Sequence, residues 1–216
     1  MKKSDNAMIN LPNHAEEASL FAQGYRRIAG FDEAGRGALA GPVVAAAVIL
    51  PQKPDFPWIP MVRDSKLLSG KKPERIFSLM RDCGIEIGIG IVPPQVIDSI
   101  NILNATKKAM ISALNALAQP PDYLLIDALT LPGLRIRQKG IIKGDRTVLS
   151  IACASIAAKV TRDHIMLELD ADYPQYGFCN HKGYGTAHHI DCLLRHGACR
   201  HHRLTFAPVR ELSRLI

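Results

Sequence analysis

The chain of 216 residues carries 27 Lys and Arg against 20 Asp and Glu, a net charge of +7, with 47% hydrophobic and 22% charged residues. That balance excludes an intrinsically disordered chain, and no stretch supplies the ~18 uninterrupted apolar residues that a membrane-spanning helix needs. The five cysteines (Cys83, Cys153, Cys179, Cys192 and Cys199) are odd in number and form no C-x-x-C pair, and no signal-peptide core follows the N-terminal lysines, so a cytoplasmic protein without disulfides is expected. The length suits one domain with at most a short appendage, and the positive charge favours a polyanionic partner.

Residues 1–24 are polar and irregular and read as a loosely packed N-terminal arm; residues 25–216 read as one folded domain, helical from about residue 171. An apolar run from Arg27 to Phe31 ends at Asp32-Glu33, and Gly35-Arg36-Gly37 leads to a second run, Val43 to Leu50, which predicts two strands joined by a glycine-rich turn. Four prolines between Pro51 and Pro60 impose a loop, after which a helix is expected from a Ser69 cap to just before Gly84. Ile85 to Val92, apolar and β-branched between its glycines, predicts a buried strand. Asn104 is read as the cap of a helix whose apolar positions (Ala109, Met110, Ala113, Leu114, Leu117) recur at three- and four-residue steps until Pro120-Pro121 ends it. Short strands at Tyr123–Ile126 and near Leu134–Ile142 follow, then a long helix from about Thr147 to Asp170 lined with small residues, then a helix from Thr186 to a terminating Gly197. Mixed strands and helices in this order predict a three-layer α/β domain with a helical C-terminal part.

Asp32-Glu33, Asp127 and Asp145 each place a carboxylate just past a strand-like run or beside a glycine. Gathering like charges raises their pKa values and costs stability, unless divalent cations lie between them. Oxygen ligands suit Mg²⁺ or Mn²⁺, and paired ions of this kind serve phosphoryl transfer. Any one of these acids could equally be a turn residue or a cap, which is the reading given to Asp82, Asp98 and Asp122. Lys66, Lys143 and Lys159 are candidate phosphate contacts, although solvated lysines look the same on spacing alone. Asp163, four residues after Lys159, is expected to pair with it on one helical face.

The string Ile28-Ala29-Gly30-Phe31-Asp32-Glu33-Ala34-Gly35-Arg36-Gly37, continuing through Leu39-Ala40-Gly41-Pro42-Val43-Val44, resembles the opening signature of ribonuclease HII. The resemblance continues in order through Asp64-Ser65-Lys66, Asn101 to Thr106, the strand ending at Asp127, Lys143-Gly144-Asp145, Ala154 to Asp163, Tyr173-Pro174, His181-Lys182-Gly183-Tyr184, Thr186, His189, and His202-Arg203 with Phe206. It implies a ribonuclease H-like three-layer α/β domain, a central mixed sheet flanked by helices, with a helical C-terminal part. It further implies that Asp32, Glu33, Asp127 and Asp145 are the catalytic, metal-coordinating acids, with Mn²⁺ or Mg²⁺ as cofactor. Gly35, Arg36 and Gly37 would be the loop that feels the ribose 2′-hydroxyl, and Tyr184 would stack on the adjoining sugar; of the candidate phosphate-contacting lysines, Lys66 lies in one of the matching elements. The implied substrates are RNA–DNA hybrids and DNA duplexes with embedded ribonucleotides, cut on the 5′ side to leave a 3′-hydroxyl and a 5′-phosphate, by a monomer without membrane attachment. Ala38 departs from the usual proline, Arg146 from a small or polar residue and Cys153 from an alanine, but every catalytic acid is present.

Three other readings compete. A ribonuclease HIII-type enzyme would usually bring an additional N-terminal substrate-binding domain and a different loop after Asp-Glu. A protein that binds hybrids without cutting gains nothing from acids beside phosphates. The Cys- and His-rich stretch from Cys179 to His202 suggests structural zinc, yet its spacing does not follow the usual ligand rhythm.

Overall fold

The computed structural model describes residues 11–63 and 72–212. In chain order the elements are α1 (Ala15–Ala22), β1 (Ile28–Ala34), β2 (Val43–Ile49), α2 (Ile59–Arg63), α3 (Lys72–Asp82), β3 (Glu86–Val92), α4 (Pro94–Ile100), α5 (Ile102–Asn115), β4 (Tyr123–Asp127), β5 (Arg137–Ile141), α6 (Leu149–Asp172), α7 (Phe178–His181), α8 (Ala187–His196) and α9 (Val209–Leu212).

Among the described residues the strands form one sheet in the order β3-β2-β1-β4-β5. β1 pairs antiparallel with β2 and β2 with β3, while β1–β4 and β4–β5 are parallel, so the sheet is mixed as expected. β2 is apolar throughout because both of its faces are covered: Val44, Ala46 and Val48 pack towards α3 and α6, and Val43, Ala45 and Ala47 towards α5. Small residues bring the layers close. A Cβ on Gly30 would collide with the backbone of Ser150 at the start of α6, and Cβ atoms on Gly88 and Gly90 would collide with the carbonyls of Ala113 and Ala109 in α5. The parallel register sets Phe31 beside Ile126 and Asp127 beside Ile141. Asp32 and Asp127, each one residue further on, therefore emerge together from adjacent strands.

Three expectations need correction. The N-terminal arm is not loosely packed where it is described: α1 buries Leu20 and Phe21 against Ile28, Leu125 and Ile151, and Glu17, 1% exposed, accepts from the backbone N–H of Ser150 at 2.9 Å. A carboxylate at the start of α6 is favoured by the helix dipole and anchors the segment. The cap of α5 is Asn101, whose side chain accepts from the N–H of Asn104; Asn104 itself lies in the first turn. β3 is an edge strand whose buried positions are Gly88, Gly90 and Val92, while Ile91 is 48% exposed. The proline-rich stretch also contains the short helix α2, and the expected Ser69 cap lies outside the described residues.

Candidate active site

The acids converge at one end of the sheet. Asp32 is 6% exposed; its Oδ1 accepts from the N–H of Glu33 at 2.8 Å, and the Ser155 side chain of α6 hydrogen-bonds to it. Burial pushes its pKa up to about 8 despite that bond to Ser155, with the charges of Glu33 and Asp127 pushing the same way. Glu33 is also raised, chiefly by burial, and Asp127 adds to this while Arg36 opposes it. Glu33 Oε1 accepts from Arg36 at 3.0 Å, but Glu33 Oε2 is buried with no hydrogen-bond partner among the described residues. Asp127 Oδ1 accepts from the N–H of Gly144 at 2.7 Å, which ties the end of β4 to the 3₁₀ turn Gly144–Arg146. Asp145 follows directly in that turn, and its carboxylate is not among the chief charges acting on Asp32 or Glu33.

Asp32, Glu33 and Asp127 are therefore close enough to feel one another, and Asp32 and Glu33 are undercompensated. Among the described residues no three Asp, Glu, His or Cys side chains close into a ready-made metal cage. This donor set suits Mg²⁺ or Mn²⁺, hard cations that bind through one or two carboxylates and complete their shell with water and substrate phosphate.

Beside Glu33 opens a cleft of about 580 Å³, bordered by Gly35, Arg36, Gly37, Lys159, Lys182 and Tyr184. Tyr184 is 44% exposed and its ring lies 5.4 Å from the Arg162 guanidinium. Lys159 is paired with Asp163 at 2.7 Å, as its spacing predicts. Lys66 lies outside the described residues. The three acids read as ordinary are structural: Asp98 accepts from the N–H groups of Leu204 and Thr205, Asp122 from those of Arg26 and Arg27, and Asp82 from the Ser78 hydroxyl.

Sequence reasoning assigned no role to Arg162 and Arg203, which hold this cleft in shape. Both are fully buried, and the hydrogen bonds they make go to backbone carbonyls: Arg162 to Ala40, Pro42 and Lys182, Arg203 to Gly35, Arg36 and Gly41. Burial lowers both pKa values, that of Arg203 to about 9. Since a trans peptide points its C=O and N–H in opposite directions, the inward carbonyls of Gly35 and Arg36 turn the N–H groups of Arg36 and Gly37 away from Arg203. Gly35 must be glycine: its φ is +89°, and a Cβ would collide with the Arg162 side chain. One signal was present in the sequence. Ala154, Ala158 and Arg162 recur every four residues, so a charge sits on the buried stripe of α6.

Residues 29–209 match the family model of ribonuclease HII. The chain belongs to the ribonuclease HII family. A ribonuclease HII of Geobacillus sp. (strain WCH70) is 53% identical over 196 residues, covering 91% of this chain and 69% of that protein. One from Dehalococcoides mccartyi is 49% identical over 205 residues, covering 95% of this chain and 97% of the relative. The crystal structure of ribonuclease H2 from Pyrococcus horikoshii superposes with a TM-score of 0.72 at 26% identity, over 88% of this chain and 98% of that one. Bst-RNase HIII, solved in complex with Mn²⁺, shares the fold at a TM-score of 0.63 and 20% identity, over 88% of this chain and 70% of that one. Membership of the ribonuclease HII family makes this chain a ribonuclease H endonuclease and sets aside the non-cleaving binder. No helix among the described residues is long and apolar enough to cross a membrane.

Proposed function

We propose that the enzyme hydrolyses the RNA strand of RNA–DNA hybrids and incises DNA duplexes 5′ to an embedded ribonucleotide, as in ribonucleotide and primer removal. Asp32, Glu33, Asp127 and Asp145 are the acids that hold its divalent metal, Mg²⁺ or Mn²⁺. The observation that carries the reading is the state of two neighbouring carboxylates: Asp32 raised to about 8 by burial, and Glu33 Oε2 buried without a partner among the described residues, with Glu33 bordering the open cleft. When bound, the metal would activate water and neutralise the leaving oxygen. The residues of the chain do the selecting. The amides of Arg36 and Gly37, aimed by Arg203 through the carbonyls of Gly35 and Arg36, are the groups offered to a 2′-hydroxyl, the one sugar feature that separates RNA from DNA. The Tyr184 ring rests on the sugar across the junction, where a deoxyribose leaves room for stacking. Lys66 contributes a phosphate contact.

Water attacks phosphorus and the bond to the preceding O3′ breaks, leaving a 3′-hydroxyl and a 5′-phosphate on the ribonucleotide. The recognised 2′-hydroxyl adjoins the next phosphate and so serves as a mark, not as a nucleophile.

The test is a labelled duplex with one ribonucleotide, run beside its all-deoxy twin and a four-ribonucleotide control in Mg²⁺, in Mn²⁺ and in EDTA. Incision at the single ribonucleotide in metal alone, with Asp127→Asn folded but nearly inactive, is expected. Comparable cleavage of the all-deoxy duplex, cleavage in EDTA, or failure to cut the single ribonucleotide overturns the reading.

A further inference from the structure

The Cys- and His-rich stretch places three histidines under Tyr184 in an arrangement that the proposed chemistry does not use. His189 Nδ1 lies 3.0 Å from the backbone carbonyl of Tyr184, and His189 Nε2 lies 3.0 Å from His202 Nε2. The N–H of Cys199 donates to His202 Nδ1 at 3.0 Å. His189 and His202 are 0% and 2% exposed.

These contacts fix the protons. A carbonyl only accepts, so His189 carries its proton on Nδ1 and, neutral, leaves Nε2 as an acceptor. His202 then donates from Nε2, which leaves its Nδ1 to accept from the N–H of Cys199 at 3.0 Å in preference to donating to the Cys199 carbonyl, which lies farther off at 3.3 Å. Each nitrogen is satisfied in that arrangement. A charged imidazole would disrupt it by bringing two N–H groups face to face, and burial opposes the charge, lowering both pKa values to about 4. His181 flanks the pair: it stacks on His189 with ring centroids 4.4 Å apart, and its Nδ1 accepts from the N–H of Gly183 at 3.2 Å.

The relay reinforces a direct backbone link between two parts of the cleft, in which the N–H groups of Leu39 and Ala40 donate to the carbonyl of Gly183 at 2.8 and 3.3 Å. Behind His202 the chain is bound to the loop that carries Gly35-Arg36-Gly37: Ala40 bridges to His202, the N–H of Arg203 donates to Leu39 at 2.8 Å, and the N–H of Gly41 donates to His201 at 2.8 Å. In front of His189 stands Tyr184.

We propose that His189 and His202 are positioning residues that lock the Tyr184 backbone to the Gly35–Gly37 loop and so fix the spacing between the sugar contact and the 2′-hydroxyl contact. This rests on the reading of Tyr184 as a sugar-stacking residue. Neither histidine needs to touch substrate.

The test separates the two ends of one imidazole. His189→Asn keeps an amide N–H near the Nδ1 position, facing Tyr184, whereas His189→Gln keeps an amide near Nε2, facing His202, and loses the hold on Tyr184. His189→Gln is expected to lower kcat on the single-ribonucleotide duplex about tenfold or more, with KM and duplex affinity within about twofold of the parent. His189→Asn should recover most of that loss, and His189→Gln should cost nothing further in a Tyr184→Ala background. If Tyr184→Ala cuts the single-ribonucleotide duplex like the parent, the reading of Tyr184 fails. If Tyr184→Ala is impaired while His189→Gln is not, or if Asn and Gln are equally impaired, the positioning proposal is overturned. A measurement on the unmodified protein stands beside the variants: nitrogen-15 NMR should show the Nδ1–H tautomer at His189 and the Nε2–H tautomer at His202. Any other pairing overturns the relay even where the variants do not fold.

Discussion

Two buried polar regions near one cleft are built on opposite principles. At the sheet end, Asp32 and Glu33 are packed with too little compensation: both are raised by burial, and one Glu33 oxygen has no partner among the described residues. Behind the Gly35–Gly37 loop and Tyr184, Arg162, Arg203, His189 and His202 are at least as buried, yet their polar contacts are made with carbonyls, an amide and each other. Burial alone therefore does not mark a reactive site. Nor does a single unsatisfied atom, since Glu17 Oε2, Trp58 Nε1 and Ser150 Oγ are also buried without hydrogen-bond partners among the described residues; the acids differ in combining an unsatisfied oxygen, mutual repulsion and an open cleft. The unsatisfied region is suited to receiving a ligand, and the satisfied one to holding a shape.

The contrast breaks most sharply at Asp32. Asp32→Asn removes a buried charge that the fold tolerates poorly, so in EDTA at pH 8 the variant should melt above the parent. Its cleavage should fall by more than the roughly hundredfold that groups outside the metal shell can carry. Calorimetry and the single-ribonucleotide assay check both halves, and a variant that is less stable without metal would show that Asp32 is satisfied after all.

On the satisfied side, Arg203→Met should act through stability. It strips donors from the carbonyls of Gly35, Arg36 and Gly41; Gly35 keeps the N–H of Ala38 and the Arg36 bond is only part-buried, and a buried carbonyl left without a donor costs about 1–3 kcal/mol, so urea denaturation should show a loss of about 1–3 kcal/mol. A loss below about 1 kcal/mol would mean the loop holds itself.

The smallest effect is a slope. His189 and His202 titrate lower folded than unfolded, so their contribution is whole above the unfolded value of 6.5 and is lost as pH falls towards about 4. Asp32 is raised, so without metal it stabilises the folded state progressively as pH falls below about 8. Between pH 7 and pH 6 the two oppose each other, and the metal-free parent should change little. Asp32→Asn should unmask these two histidines, together with His14, His181 and His201, which burial also lowers, as a decline of about 1 kcal/mol or more over that interval. A flat profile in the variant would remove the histidines from the argument.

Local pattern carried much of this molecule, and contact at a distance carried the rest. β1 to β4 were legible from apolar runs, the two ends of α8 from Thr186 and Gly197, and the Lys159–Asp163 pair from its spacing. The four acids stood out because each follows a run of sheet or a glycine, and the resemblance joined them. Arg203 reads as a surface arginine until the chain folds, since its acceptors lie about 165 residues away. Glu17 likewise gains its role only through Ser150. Asn101 was passed over for Asn104 because both are asparagines ahead of the same periodic run, and only the backbone shows which one stands outside the helix.

The glycines of β3 have a consequence for alignment. This edge strand alternates Ile87, Ile89 and Ile91 with Gly88 and Gly90, so a slip of one residue along its neighbour would exchange isoleucine for glycine on each face. Gly88 and Gly90 receive the carbonyls of Ala113 and Ala109, which stand four residues, roughly 6 Å, apart along the helix. Two residues of strand span roughly 6.6 Å. Helix and strand thus mesh like a rack and pinion, in which the missing side chains are the notches. A slip of one residue would drive Ile89 against the α5 backbone, so β3 is kept in register by the side chains it lacks.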